Sequence, residues 1–352
     1  MFTFTPRRNG LLRAAPLALI AALSLAACGN SYNGGMTYNM PTGGAGSKLF
    51  AADSVHMMIG SLVNPDPPTG PLTVNRMIGG MFNYAGLSNN IGSLALDPTL
   101  DYLYVGNGTS ILVFFSASMA NGDIFSSRTI TSSPAFSNTG SMFLDTTHDI
   151  LYVGDNLAGV RVFTGISGLA TGSHAPDHSV TGNFGTAFLI RGVAVDTRAN
   201  NILYVSNDIT SPTSSHRISV FNNASTVTTA APIRTITPTV STVNQPVGGI
   251  SLDATHDVLY VAPGSSGNGI MVFSPASAAD GLIPPAKTLM ITSAPGILSV
   301  LVDPVNDRLY AVGSNGHIYL IETVSMLSSG NAAAKDASLS NGGMLTAVAV
   351  SP

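Results

Sequence analysis

Two sets of aspartates recur along the chain at a spacing that could support chemistry. Asp97, Asp145, Asp253 and Asp303 are followed four residues later by Asp101, Asp149, Asp257 and Asp307, and Asp196 by Asn201 near the equivalent place. A ring of turn carboxylates can hold a hard cation, so calcium is the one cofactor the sequence brings into question. An aspartate also accepts backbone N–H bonds across a tight turn, and a feature present in every copy reads as scaffold; no metal site and no cofactor is assigned. His174 and His178, in SHAPDH, could chelate as a pair, but no third ligand is nearby in sequence and solvated loop histidines are the preferred reading. His148 and His256 fall at matching turn positions, again as scaffold. There is no GxSxG elbow, and the glycine-rich Gly264 to Gly269 stretch lacks the lysine and helix of a phosphate loop, so no catalytic residue is assigned.

The elements that must position these residues repeat with them. LDPTLDYLYV at Leu96 to Val105 returns as LDTTHDILYV at Leu144, VDTRANNILYV at Val195, LDATHDVLYV at Leu252 and VDPVNDRLYAV at Val302. Tyr104, Tyr152, Tyr204, Tyr260 and Tyr310 follow one another at about fifty residues, a period of four-stranded propeller blades rather than of helical repeats. Strands A to D of one copy read Gly92 to Asp97, Tyr102 to Gly106, Ile111 to Phe115 and Ser127 to Thr131. The first copy starts late: Lys48 to Ala51 stands at B, Val55 to Ile59 at C and Asn75 to Ile78 at D. Its missing A strand is TAVAVSP, Thr346 to Pro352, which aligns with SLALDP. The expectation is an all-β, six-bladed β-propeller of four-stranded blades, closed by the C-terminal strand completing the N-terminal blade. Arg76, Arg128, His178, Arg234, Lys287 and Lys335 recur in or beside strand D, where a charge is expected to protect an unpaired outer edge.

Residues 1–27 read as a removable export signal, with Arg7, Arg8 and Arg13 ahead of an apolar stretch too short for a permanent span. Leu25-Ala26-Ala27-Cys28 resembles a bacterial lipobox, which implies lipidation of Cys28, the only cysteine in the chain. Membrane contact is then made through the N-terminal lipid. Gly29, where an aspartate would resemble an inner-membrane retention signal, leans towards the outer membrane. The segment 28–47 holds that cysteine and a Gly/Asn/Ser-rich tether reaching roughly 25 Å root-mean-square, and 48–352 is the propeller domain. The chain carries 14 Lys and Arg against 18 Asp and Glu, an acidic excess that argues against nucleic acid.

Propeller geometry places the D–A and B–C connections on one face, around the channel mouth. Candidate ligand-binding residues there are Asn90, Asn138, Arg191, Gln245 and Asn341 before strand A, and Asp53, Asn107, Asp155, Asn207, Asp208 and Asn315 after strand B. Arg191 stands out because other blades carry small or amide residues at its place.

LYVGNG at Leu103 to Gly108 and LYVSND at Leu203 to Asp208 resemble the second-strand signature of NHL and YVTN-repeat propellers, over Lys48 to Pro352. That resemblance admits lactonases and lyases as well as binding and assembly proteins. Calcium-dependent six-bladed lactonases and esterases use a glutamate with Asn and Asp at a central metal. The sole glutamate here, Glu322, follows a C strand and is expected on the opposite face. The reading favoured is a lipid-anchored extracytoplasmic module of the bacterial cell envelope that binds or scaffolds an envelope protein or polymer without catalysis. The alternative is a lactonase- or esterase-like propeller hydrolase with a metal at the channel mouth.

Overall fold

A computed structural model describes residues 48–63, 70–72, 74–156, 158–182, 184, 187–198, 201–211, 215–240, 243–265, 267–339 and 343–351. The export signal, Cys28 and the tether lie outside the described residues.

Six antiparallel sheets form a ring. Blade 2 contains strands Ile91–Asp97 (A), Tyr102–Asn107 (B), Ser110–Phe115 (C) and Arg128–Ser132 (D), and each later blade repeats this order. Blade 1 is assembled from both ends of the chain: Leu345–Ser351 is its A strand, followed by Lys48–Asp53, Met58–Val63 and Arg76–Ile78. The closing pair runs in register from Lys48 opposite Ser351 to Ala52 opposite Ala347, then bulges so that Asp53 faces Leu345. The ring therefore closes as the sequence implies.

Alternation along strand B explains why the blades stack. Successive side chains on a strand face opposite sides, so Leu103 and Val105 pack against blade 1 with Phe50 and Ile59, while Tyr104 packs against Leu151, Val153 and Phe163 of blade 3. Leu203 and Val205 face blade 3 and Tyr204 faces blade 5 in the same way. Six buried clusters result, one per seam. Phe50 fills the tyrosine place of the split blade. Close to the axis the strands nearly touch: a Cβ on Gly92 would lie 2.7 Å from the Cα of Gly140 in the next blade.

Three details depart from the sequence reading. In blade 1, strand C starts at Met58 rather than Val55, because Asp53 accepts the N–H groups of Val55 and His56 and Met57 takes a positive φ of 53°, turning residues 54–57. In blade 4, Arg191 lies inside strand A (Ala187–Asp196), and Asn207 and Asp208 lie inside strand B (Ile202–Ser211). The third correction concerns strand D, whose outer edge in blades 2, 4, 5 and 6 is covered rather than unpaired. The C–D connection of one blade runs parallel to strand D of the blade before it: Gly172–His174 beside Arg128–Ser132, Gly281–Ile283 beside Arg234–Val240, Gly330–Asn331 beside Lys287–Met290, and Gly70–Leu72 beside Ala334–Leu339.

The repeated basic residues serve that overlap. Arg128 donates to the carbonyls of Ser167 and Leu169, Arg234 to those of Ala276 and Ala279, and Lys287 to those of Ser325 and Leu327, all in the C–D turn of the next blade. Arg76 reaches Met119 O and His178 Nε2 reaches Ala224 O in equivalent turns. Five of the six repeated residues thus fasten their blade at the rim to the neighbour's turn carbonyls, while Lys335 pairs with Glu322 of its own blade.

Both aspartate series are structural in form. Asp97, Asp145, Asp253 and Asp303 accept N–H groups inside their own A–B turns; His148 and His256 Nδ1 add bonds of 2.7 and 2.6 Å to Asp145 and Asp253. Asp196 is gripped by Arg198, whose guanidinium lowers the Asp196 pKa. The second series sits at positive φ, and Asp101, Asp149, Asp257 and Asp307 each accept both the N–H and the hydroxyl of a serine in the C–D turn.

Replacing Arg128 by alanine removes two charge-assisted bonds and the cation packed 4.4 Å over the Phe115 ring, and should cost about 1–3 kcal/mol in denaturant unfolding, whereas Arg128→Lys should retain part of this because Lys287 fills the same role in blade 5. A second expectation concerns the seam tyrosines. The hydroxyls of Tyr104 and Tyr152 are buried without a partner among the described residues, and burial raises both pKa values; that of Tyr260 is pushed up to about 12 by burial, then by Asp253 and Asp307. Raised folded-state values contribute stability that is complete below the unfolded tyrosine value of about 10 and is lost as pH climbs above it. Tyr104→Phe and Tyr152→Phe should be neutral or stabilising by up to about 1 kcal/mol at pH 7. Urea midpoints measured from pH 7 to 11 should fall less steeply for both variants than for the parent.

Candidate functional site

The polar residues expected around the mouth divide into two groups. In the first, polar residues at the mouth end of strand B hold the segments around them: Asp53, Asn107 and Asp155 tie the B–C turn to the D–A loop entering the same blade, while Asn207 and Asn315 bond within their own hairpins. Asp53 accepts Met344 N at 3.1 Å and His56 Nδ1 at 2.7 Å. Asn107 accepts both the N–H and hydroxyl of Ser88 and donates to Gly86 O. Asp155 accepts the N–H and hydroxyl of Ser137. Asn207 accepts the hydroxyl of Ser219 at 3.2 Å, while its buried Nδ2 meets no partner among the described residues. Asn315 donates to Tyr319 Oη at 2.9 Å and accepts His317 N.

Among residues before strand A, Asn90 is exposed and its carbonyl accepts Gly108 N. Asn138 is half-buried with its Oδ1 lacking a partner among the described residues, and Gln245 is half-buried with its N–H on Pro238 O. Asn341 lies outside the described residues.

The second group lies on blade 4. Its A–B pairing reaches Ile190 opposite Asn207, the level where blade 2 ends with Ile91 opposite Asn107, and then continues to Ala187 opposite Ser211. Strand C (Ser215–Phe221) accompanies it, so blade 4 is prolonged on the mouth side by about 10 Å at 3.4 Å per residue. A bulge between Ile190 and Gly192 carries Arg191. On this extension the structure brings together Arg191, Asp208 and His216. Asp208 Oδ2 accepts Arg191 Nε at 2.7 Å, and its Oδ1 meets His216 Nδ1 at 2.6 Å. Arg191 is 46% exposed in its side chain, Asp208 12% and His216 26%.

This arrangement has a defined chemistry. Asp208 fixes the Arg191 guanidinium through Nε, leaving its terminal nitrogens to meet a carboxylate, phosphate or carbonyl. It also orients the His216 imidazole through Nδ1, so that Nε2 is directed away from the carboxylate and can donate or accept. Sequence reasoning singled out Arg191 and Asp208, and His216 was not among its candidates. Only the hairpin register, Asp208 opposite His216, joins them.

One further cluster escaped the sequence reading. Arg161, in strand C of blade 3 (Gly159–Thr164), is 4% exposed and pairs at 2.9 Å with the fully buried Asp155. Its guanidinium also donates to Ser132 Oγ and to the carbonyls of Pro134 and Ala135, and stacks 5.1 Å from Phe136. A charge between Val160 and Val162 on a buried strand was the available signal. Asp155 thereby serves loop closure rather than an open mouth.

His174 and His178 do not converge: His174 Nε2 bonds Ala170 O on the rim, and His178 grips blade 4. Among the described residues no three His, Cys, Asp or Glu side chains gather as a metal site. Glu322 lies at the far end of a C strand, paired with Lys335 at 3.0 Å and Arg308 at 3.7 Å.

No protein-family model matches the chain, and no curated protein matches it. The class defined by the coordinates is the six-bladed β-propeller.

The two charged clusters should respond differently to substitution. Arg161→Ala strands a buried carboxylate and should cost about 3–5 kcal/mol of unfolding free energy, while Arg191→Ala on the half-exposed extension should cost about 1 kcal/mol or less. Parallel denaturant titrations of the two variants check this; equal losses would mean that the blade 4 cluster is structural.

Proposed function

We propose that this chain is a lipid-anchored extracytoplasmic propeller that acts as a non-catalytic binding or scaffold module in the bacterial cell envelope, with the blade 4 extension as its recognition element. The observation that carries the reading is that extension. The described mouth residues of other blades mostly hold their own loops, whereas blade 4 departs from the repeat to display an oriented cation and imidazole. Loops and hairpins on a rigid ring are where binding residues are commonly set. The partner is an envelope protein or polymer offering a carboxylate, phosphate or carbonyl group. The address comes from the sequence: Cys28 after Leu-Ala-Ala supplies the lipid, Gly29 favours the outer membrane over the inner, and the acidic excess disfavours nucleic acid. The NHL and YVTN resemblance of the B strands is compatible with this role.

A second reading draws on one specific contact. Asp208 holding His216 Nδ1 is the arrangement that readies an imidazole as a general base, which keeps the lactonase- or esterase-like alternative in view. Calcium is the ion that alternative would require.

Cross-linking in cells followed by affinity purification should recover one stoichiometric envelope partner with the parent chain, and recovery should fall at least roughly tenfold, about 1.4 kcal/mol, with Arg191→Ala. Mass spectrometry of the mature N-terminus should show acylated Cys28. Hydrolysis of a lactone panel, abolished by chelator and restored by calcium, would instead establish the enzyme.

A further inference from the structure

The seam between blades 1 and 2 carries an aromatic ladder on its outer surface. Phe82, Tyr84 and Phe125 stack in a row, with ring centroids 5.6 and 5.0 Å apart and interplanar angles of 20° and 25°. These side chains are among the most exposed large apolar groups of the described residues: Phe82 is 63%, Tyr84 48% and Phe125 73% exposed, beside Met81 at 76%. Isolated apolar residues on a surface need no explanation, but a contiguous, ordered group does.

The ladder is built on a rigid base. Asp123 accepts Phe82 N with one carboxylate oxygen and Tyr84 N with the other, both at 2.7 Å. Asn83 closes the loop by exchanging bonds with both Leu87 N and Leu87 O. Ala85 and Leu87 are buried in the blade 1–2 core, with Ile124 packed against the same cluster. The loops of two different blades are thus anchored by their apolar residues inward while the aromatics and Met81 are held outward.

We propose that this ladder is a bilayer-contact patch that enters the interfacial region of the membrane carrying the lipid anchor. The inference rests on the anchored-lipoprotein reading. Lys48, where the described chain begins, opens strand B of blade 1, one of the two blades that make the patch. Lys48 lies at the end of that strand away from the mouth and the ladder follows strand D on the mouth side, so a lipid on Cys28 keeps blade 1, and with it this seam, within the tether's reach and a strand's length of the point where the chain leaves the membrane. Phenylalanine, tyrosine and methionine side chains partition into the boundary between headgroups and acyl chains, where an aromatic ring keeps its apolar body dry and a phenol stays wet. A second contact of this kind adds to the lipid and fixes the orientation of the ring.

The chain contains no tryptophan, so a single one introduced at the patch is a clean reporter. Phe125→Trp in the acylated full-length protein, on phosphatidylethanolamine and phosphatidylglycerol vesicles, should emit at shorter wavelength than in buffer and be quenched by brominated acyl chains. Leu282→Trp, also well exposed at 62% but on the opposite seam between blades 4 and 5, should show neither change. Detergent-phase partitioning of the same samples reports on the anchor independently. Acylated protein carrying Phe125→Trp whose emission ignores vesicles would overturn the patch and leave the anchor standing; unacylated mature protein would overturn both. A concentration-dependent blue shift without lipid would assign the patch to a second copy of the chain and would equally overturn a bilayer contact.

Discussion

Each blade has two apolar faces, and neither can be left in water. That constraint governs the molecule. Strand B states it most plainly, since Leu103 and Val105 serve one seam and Tyr104 the next. A blade is therefore stable only between two neighbours, and a row of blades is stable only as a ring. Closure falls on the seam where Tyr310, Val312 and Leu320 meet Leu49, Ala51 and Val348. Splitting blade 1 between the two ends of the chain makes that seam depend on backbone hydrogen bonds between residues some three hundred positions apart. Neither end can leave without opening the ring.

Burial of faces leaves the edges unsolved, and here the structure adds a device that face packing does not demand. A free strand D would expose a row of N–H and C=O groups to other chains. In blades 2, 4, 5 and 6 the following blade covers it with a short parallel strand drawn from its own C–D loop, and in blades 2, 4 and 5 strand D answers with an arginine or lysine that caps the carbonyls of that loop's turn. The second aspartate series binds the same turn from within its own blade. Backbone, cation and carboxylate thus converge on the C–D turns of blades 3, 5 and 6, which explains why the basic residue of strand D and the second aspartate share the fifty-residue period.

Blade count, strand order and closure were legible because they are written in side-chain alternation repeated over whole strands. The rim strands were not, because two or three residues such as Gly330–Asn331 have no period to read. The basic residues of strand D were visible as a repeat, yet their role depended on a neighbour about forty residues onward, and an unpaired edge was the wrong premise. The mouth was legible as a list of polar positions and not as a site. Asn107 and Asp155 resemble ligand-binding residues in sequence but hold loops in the fold, and the Arg161–Asp155 pair depends on a loop from the preceding blade. His216 joins Asp208 only once the hairpin register is known.

Six-fold order also relates the two places where the repeat is broken. In a ring of six, blade 4 stands across the axis from blade 1, so the extension bearing Arg191, Asp208 and His216 and the seam bearing Phe82, Tyr84 and Phe125 lie on different sides of the molecule. Their chemistries differ accordingly: one offers charge and directed hydrogen bonds, the other apolar rings on a rigid base. A surface held against a bilayer cannot also receive a large soluble partner, and a charged hairpin has no favourable place among acyl chains. Both features lie toward the mouth side of the ring, so what separates them is the axis: on the proposed anchoring, a ring standing on its rim at the aromatic seam holds the blade 4 hairpin at the far side of the molecule from the bilayer.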